Sequence, residues 1–306
     1  MKLGRLPALL LLVTACTAGV VTSTTAAGPD PSEPTSSTSV ATTVTTSAAP
    51  TTTTTISVTS TTTVATSTTV PSTTVPTTTV TTTTDAADTL AGAVIVLDPG
   101  HNGMNWAHPD EINQIVDIGT GTKACNTTGT STVDGFPEAS FTWELAQRTR
   151  GKLESLGASV TMTRADNDGW GPCITERAAI GNRAGADAVI SIHADGGPTS
   201  GRGFHVIYPK VVAGLTDDIA EDSKRLAHAI HDAFLVTGMP VSDYLGSDGY
   251  TVRDDLGGLT LSDVPVVFLE AGNMRNSTDA ALLIDPAFQE SMADALVAGL
   301  VDYLDR

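Results

Sequence analysis

The stretch "VIVLDPGHNG", residues 94–103, decides how the rest of the chain is read. Four apolar residues run into Asp98, Pro99, Gly100 and then His101. A short continuous apolar run is the pattern of a strand covered on both faces. Pro and Gly then make a turn easy, and the turn presents a histidine at the strand's end. Outward from this point, strand and helix patterns alternate. "PEASFTWELAQRTRGKLESL" (137–156) has Pro near its start, apolar residues three and four apart, and Gly157 after its end, which predicts a helix with its stop signal. "ASVTMTR" (158–164) predicts a strand, "ITERAAIGNRAGA" (174–186) a helix, and "DAVISIHA" (187–194) a strand with a second histidine near its end. "GFHVIYP" (203–209) predicts another strand and "EDSKRLAHAIHDAFLVTG" (221–238) an amphipathic helix closed by Gly238. "VPVVFLEAG" (264–272) reads as a strand that carries an acid, and residues 285–304 as a last helix. Strands alternating with helices imply an α/β domain with a largely parallel sheet.

The remainder of the 306 residues divides by composition. "MKLGRLPALLLLVTAC" has a basic start, a short apolar run and small residues before a cysteine, the pattern of an export signal. The apolar run falls far short of the ~20 residues that span a bilayer. Val13-Thr14-Ala15-Cys16 resembles the bacterial lipobox, which would make Cys16 a lipidated N-terminus; the rival reading is ordinary cleavage a few residues later, with secretion. Residues 22–90 are dominated by Thr, Ser, Val and Pro and hold too little apolar surface to offset ordering entropy. They read as a stalk, spanning ~45 Å as a coil and up to ~200 Å as a stretched rod. The expected organisation is a signal over 1–21, a disordered stalk over 22–90 and one catalytic domain over 91–306.

Of 34 acids and 16 bases, four acids and two bases fall in residues 1–90, so the rest carries 30 and 14, a net charge near −16. That balance argues against nucleic acid or an anionic bilayer as the main partner.

Three predicted strands end on His101, His193 and Glu270, and ligand sites in open α/β sheets form beyond the carboxyl ends of strands. A single strand-end histidine is more often structural, but two, each followed by small residues, point to a metal site. A catalytic zinc takes three protein ligands and leaves a position open. Glu138, in the first turn of the predicted helix, is the candidate third ligand; a plain helix-dipole role predicts Glu there equally well.

The blocks "VLDPGHNG", "PEASFTWELAQRTRGKLESLGASVTMTR", "ERAAIGNRAGADAVISIHAD" and "VPVVFLEAGNMRN" resemble, in order, the signatures of the zinc-dependent N-acetylmuramoyl-L-alanine amidases, bacterial peptidoglycan-cleaving enzymes. The resemblance covers about residues 93–304. It implies one Zn2+ held by His101, Glu138 and His193, with Glu270 as catalytic acid/base. It implies a single domain with a mixed, mostly parallel sheet of about six strands flanked by helices. The substrate it implies is peptidoglycan or its muropeptides, at the cell envelope. The charge balance leaves no nucleic acid as partner, Cys16 offers the only membrane contact through a lipid, and a monomeric chain is expected.

Residues 104–136 form a long polar insertion where many relatives have a short Gly-rich loop, and Cys125 and Cys173 are not required by the pattern. In an exported chain these two thiols are expected to form a disulfide. Asn273 and Arg275, just past Glu270, are candidates for holding substrate carboxylates. Arg177 and Asn182 are expected to tie elements together, His205 to lie in a core or edge position, and His228 and His231 to sit on the surface. His108 lies near His101 without a predicted ligand role. Two other functions fit parts of the sequence: an inactive stalked wall-binding protein, against which the intact four-residue set speaks, and a zinc hydrolase of another peptide amide, though the common HExxH peptidase motif is absent.

Overall fold

In the computed structural model, which describes residues 89–305, the opening stretch is a strand, β1 (Val94–Pro99). Ile95, Val96 and Leu97 are wholly buried. Alternate side chains of a strand point to opposite faces, so Ile95 and Leu97 enter one hydrophobic core and Val96 another. This two-sided burial is what the unbroken apolar run encodes, at about 1.5–3 kcal/mol for each large side chain shielded.

The chain continues through a polar region holding a short helix α1 (Pro109–Ile112) and an antiparallel hairpin of β2 (Ile115–Asp117) and β3 (Thr122–Ala124). Then follow α2 (Glu138–Ser155), β4 (Ser159–Met162), α3 (Ile174–Ala184), β5 (Ala188–Asp195) and β6 (His205–Pro209). The remainder is α4 (Ala220–Phe234), β7 (Tyr250–Arg253), α5 (Gly257–Thr260), β8 (Val266–Asn273), α6 (Ser277–Leu283) and α7 (Pro286–Leu304). The main sheet has six strands in the order β4-β1-β5-β8-β6-β7. All neighbouring pairs are parallel except β6 with β8.

Helices α2, α4 and α7 cover one face and α3 and α5 the other. Phe141 and Leu145 of α2, Leu226 and Ile230 of α4, and Leu296 of α7 pack with Ile190 and Ile192 of β5 into the larger core. Val96, Val189, Ile207, Leu259 and Val266 build the smaller one.

The expected elements occur with ends shifted by a residue or a few, as element boundaries commonly are. Several elements were not expected. β7 lies in "GSDGYTVRDD" (246–255), too short and too rich in turn residues for its pattern to show; pairing with β6 makes it a strand. The 104–136 region is not a featureless polar loop but carries α1 and the hairpin. His231, expected on the surface, is buried. Its ring packs 5.3 Å from Phe204 and 4.4 Å from Tyr250, in space left by Gly249, where a Cβ would lie 2.6 Å from Nε2. His228 is exposed and His205 buried, as expected. No described helix is long and apolar enough to cross a membrane. The export segment, Cys16 and residues 22–88 lie outside the described residues, as does Arg306.

Candidate functional site

Adjacent parallel strands β1, β5 and β8 place their carboxyl ends side by side. His101 stands on the turn after β1, His193 in β5 and Glu270 in β8, and the last two are direct register partners. A register shift between His193 and Asp195 re-aims the end of β5. Glu138 is the first residue of α2, behind Pro137 at the N-cap.

His101 Nε2 lies 3.1 Å from Glu138 Oε2, and His193 Nδ1 lies 3.0 Å from Glu138 Oε1. The two imidazoles cross at 85° with centroids 5.0 Å apart. One ligand atom from each of the three residues falls within 4.8 Å of the others. Two imidazole nitrogens and one carboxylate oxygen are a donor set of catalytic zinc sites. The surroundings fit that use. His101 Nδ1 is 3.0 Å from the carbonyl of Thr127, which can only accept, so the proton sits on Nδ1 and Nε2 keeps its lone pair for a metal. Glu138 is held by the backbone N–H of Thr130 at 2.9 Å on one oxygen and that of Ala194 at 3.2 Å on the other. Phe268 stacks on the His193 ring at 5.3 Å.

Gly100 leaves the space that the second ring occupies: a Cβ there would fall 2.3 Å from His193 Cε1. Gly100→Ala is therefore expected to displace the His193 ring and weaken zinc binding about 10–100-fold, the range for lost outer-shell support. Competition against a zinc chelator measures it, and unchanged affinity would mean that the ring gives way without consequence.

The site's charges are arranged unequally. Burial penalises ionisation of Glu138, but the two imidazoles outweigh it and hold the carboxyl well below its usual range. For His101 burial favours the neutral ring, and the Glu138 carboxylate outweighs it and raises the pKa. Glu270 goes the other way: burial first, then the carboxylates of Asp195 and Glu138, push it well above the usual carboxylate range, against the weaker pull of Arg253. A carboxyl with raised proton affinity in a cleft suits proton transfer near neutral pH. These groups line one cavity of ≈ 400 Å³, together with Asp195, Lys123, Arg253 and Asp255. Asp255 joins the hairpin to β7, accepting from Arg253 at 2.8 and 2.9 Å and from Lys123 at 3.1 Å.

Beneath His101 lies a buried ion pair. Arg177 Nη1 donates to Asp98 Oδ1 at 2.7 Å and to the Pro99 carbonyl at 2.8 Å, and Nη2 donates to the His101 carbonyl at 2.5 Å. His101 has φ +58°, a left-handed conformation unfavourable for a side chain with a Cβ, and Arg177 holds its carbonyl there. Burial raises the Asp98 carboxyl, but Arg177, Ser191 and Thr163 outweigh that and bring it from 3.8 to about 2. Because the folded value is the lower one, this stabilisation is complete above about pH 4 and is lost as pH falls toward 2. It is on the order of 2 kcal/mol. Arg177→Met leaves Asp98 charged and unpaired, and is expected to cost about 3–5 kcal/mol in denaturant unfolding at pH 7. A loss below 1 kcal/mol would show that the pair is not a brace.

The structure brings together His101, Glu138, His193 and Glu270, but not the two residues expected to meet substrate. Asn273 is wholly buried; its amide donates to the carbonyls of Pro198 and Gly201, both at 2.8 Å, so it braces the loop after β5. Arg275 is exposed and does not line the cavity. Arg177 and Asn182 do tie elements: the Asn182 amide bonds the Leu261 carbonyl and the Asp263 N–H. His108 stacks on Trp170 and pairs with Glu111, apart from the three converging residues. Cys125 and Cys173 are free thiols lying side by side; burial, and then the hydrogen bond that its S–H donates to Cys173, push the Cys125 thiol up to about 12. Asp195, Lys123 and Arg253 were not singled out from sequence. Asp195 sits in "SIHAD", but Lys123 and Arg253 reach the cavity only through the hairpin and β7.

Comparison with known proteins places this site in context. Residues 95–302 match the family model described as N-acetylmuramoyl-L-alanine amidase. An N-acetylmuramoyl-L-alanine amidase of Mycobacterium tuberculosis is 42% identical over 216 residues, covering 70% of this chain and 88% of that protein. The crystal structure of the N-acetylmuramyl-L-alanine amidase Ami1 from Mycobacterium smegmatis superposes with a TM-score of 0.67 at 41% identity, over 71% of this chain and 98% of that one. Ami1 from Mycobacterium abscessus, in its apo form, gives 0.66 at 43% identity, over 70% and 99%.

Proposed function

The chain belongs to the N-acetylmuramoyl-L-alanine amidase family, and from that premise we propose that it cuts the amide between N-acetylmuramic acid and L-alanine in peptidoglycan, using one zinc ion held by His101, Glu138 and His193. The observation that carries the metal assignment is the convergence of these three donors within 4.8 Å on a carboxylate fixed by two backbone N–H groups. A zinc ion bound there supplies a Lewis acid that eases deprotonation of water and polarises the scissile carbonyl.

Glu270 accepts the proton from the attacking water and delivers it to the nitrogen of the departing L-alanine. The water oxygen bonds to the lactyl carbonyl carbon, the C–N bond breaks, and the products are a free lactyl carboxylate and a free peptide N-terminus. The raised proton affinity of Glu270 supports this shuttle. Lys123, Arg253 and Asp255 put charge of both signs on the cavity rim, suited to a peptide stem that carries carboxylates and amines.

Residues 1–21 direct export, with Cys16 lipidated, and residues 22–90 tether the domain at the cell envelope as a monomer. Outside the cytosol, exchange with an external disulfide oxidant, which takes up the two electrons and two protons, joins Cys125 and Cys173 in a disulfide. With ~48 residues in the closed loop, the bridge adds up to about 4 kcal/mol in the chain-entropy model. In exported protein carrying Cys16→Ser, thiol titration after unfolding is expected to find none before reduction and two after; two before reduction would rule out the bridge.

The function is tested by incubating the protein with a muropeptide of defined structure and weighing the products. Release of an intact peptide with N-terminal alanine supports the reading, and cleavage between amino acids would replace it with a peptidase.

A further inference from the structure

We propose that a second groove, beside the metal site, is the subsite for the glycan strand, with Trp106 as its stacking platform. This rests on the amidase reading and goes beyond it by dividing the substrate between two surfaces. The groove has a volume of ≈ 440 Å³ and is lined by Asn102, Trp106, Thr128, Thr130, Ser131 and Pro137, among others. Its floor is shared with the metal site: a Cβ on Gly129, which lies in the groove, would sit 2.7 Å from His101 Cδ2 and 2.8 Å from Glu138 Oε2.

The two surfaces differ in charge. The main cavity carries Lys123, Arg253, Asp255 and Asp195. The second groove has no ionisable side chain among its lining residues, in a protein with a formal net charge of −18. The scissile amide joins two chemically unlike polymers. The peptide stem is charged, whereas the glycan is neutral where its lactyl carboxyl is consumed in the amide. A neutral groove of hydroxyls and one carboxamide, abutting the site of cleavage, matches acetamido sugars.

Trp106 supplies what such a groove needs. It is 68% exposed and lines the groove. The other two tryptophans are engaged: Trp170 stacks on His108, and Arg164 lies over Trp143. The Trp106 indole offers an apolar face for the C–H face of a pyranose and an N–H donor at its edge. Its turn is rigidly keyed to the metal site. Neighbouring Asn105 donates to the Thr127 carbonyl at 2.8 Å, the same oxygen that accepts from His101 Nδ1, and accepts from the Gly171 N–H at 2.8 Å.

The test has two arms on the full chain. In the first, tetra-N-acetylchitotetraose, a neutral acetamido-sugar oligomer without peptide, is titrated in a calorimeter, whose signal does not depend on Trp106. Saturable binding to wild type, weakened about tenfold or more in Trp106→Ala and largely restored in Trp106→Tyr, is expected. Binding that is absent from wild type, or unchanged in Trp106→Ala, overturns the subsite. In the second arm, KM is compared for a muropeptide with one sugar and one with four. The longer glycan is expected to lower KM about tenfold in wild type and to bring little gain in Trp106→Ala. An equal gain in both proteins rejects the subsite while leaving the amidase reading intact. Wild type that cuts neither substrate refutes the amidase reading, and the sugar titration then judges the groove alone.

Discussion

Glu270→Gln is expected to lower amide hydrolysis by about 100- to 10,000-fold, the range for losing a positioned general acid/base, while keeping both zinc and fold. The reason lies in the division of labour among the site's carboxyls. Glu138 sits between the two imidazoles and is held ionised, as a ligand must be. Burial and the carboxylates of Asp195 and Glu138 raise the proton affinity of Glu270, so its ionised form is a stronger base for taking a proton from water. A glutamine of the same size cannot take the proton from water. It also keeps the size of the carboxyl while carrying no charge for Asp195 and Glu138 to repel, so the variant should melt no lower than wild type. Near-normal turnover with full zinc would overturn the assignment. Loss of zinc would move Glu270 into the ligand set.

His193→Ala is expected to have the opposite signature, losing the metal and the activity together. His193 Nδ1 is one of three converging donors, and with it gone Glu138 and His101 are left as two. Two protein ligands fall short of the three that catalytic zinc sites keep. Elemental analysis after extensive dialysis should find well under one zinc per chain, and activity should fall to background. A variant that keeps a full equivalent of zinc would show that the ion is held elsewhere. The pair of variants separates ligation from proton transfer: one protein is loaded and inactive, the other empty and inactive.

Much of this site was legible from residue patterns, for a physical reason. β1, β5 and β8 are buried on both faces, so their sequences are largely apolar, with Ser191 the interruption in β5, and His101, His193 and Glu270 mark where those runs meet the cavity. Glu138 was less certain, because a helix start favours Glu whether or not a metal is near. The family resemblance, not spacing, implies the ligand role. What sequence missed depends on long-range pairing. Arg253 reaches the cavity only because four residues pair with β6, and Lys123 only because a three-residue strand folds back on its partner. Asn273 was misjudged because closeness in sequence to Glu270 says nothing of direction. Three residues along a strand turn a side chain to the opposite face, and there Asn273 meets the backbone of the loop after β5. His231 was misjudged because α4 is covered on a second side by β7 and Gly249, which the helix pattern cannot reveal.

The central claim is that a zinc ion on His101, Glu138 and His193 drives cleavage of the bond between N-acetylmuramic acid and L-alanine. The most direct test is a zinc titration into chelator-stripped protein, with muropeptide cleavage read at each step by mass spectrometry. The account predicts no cleavage without metal and a rise that levels off at one equivalent of zinc per chain, with the peptide released intact from its N-terminal alanine. Undiminished cleavage by the stripped protein, or a rise that needs two equivalents, would contradict it.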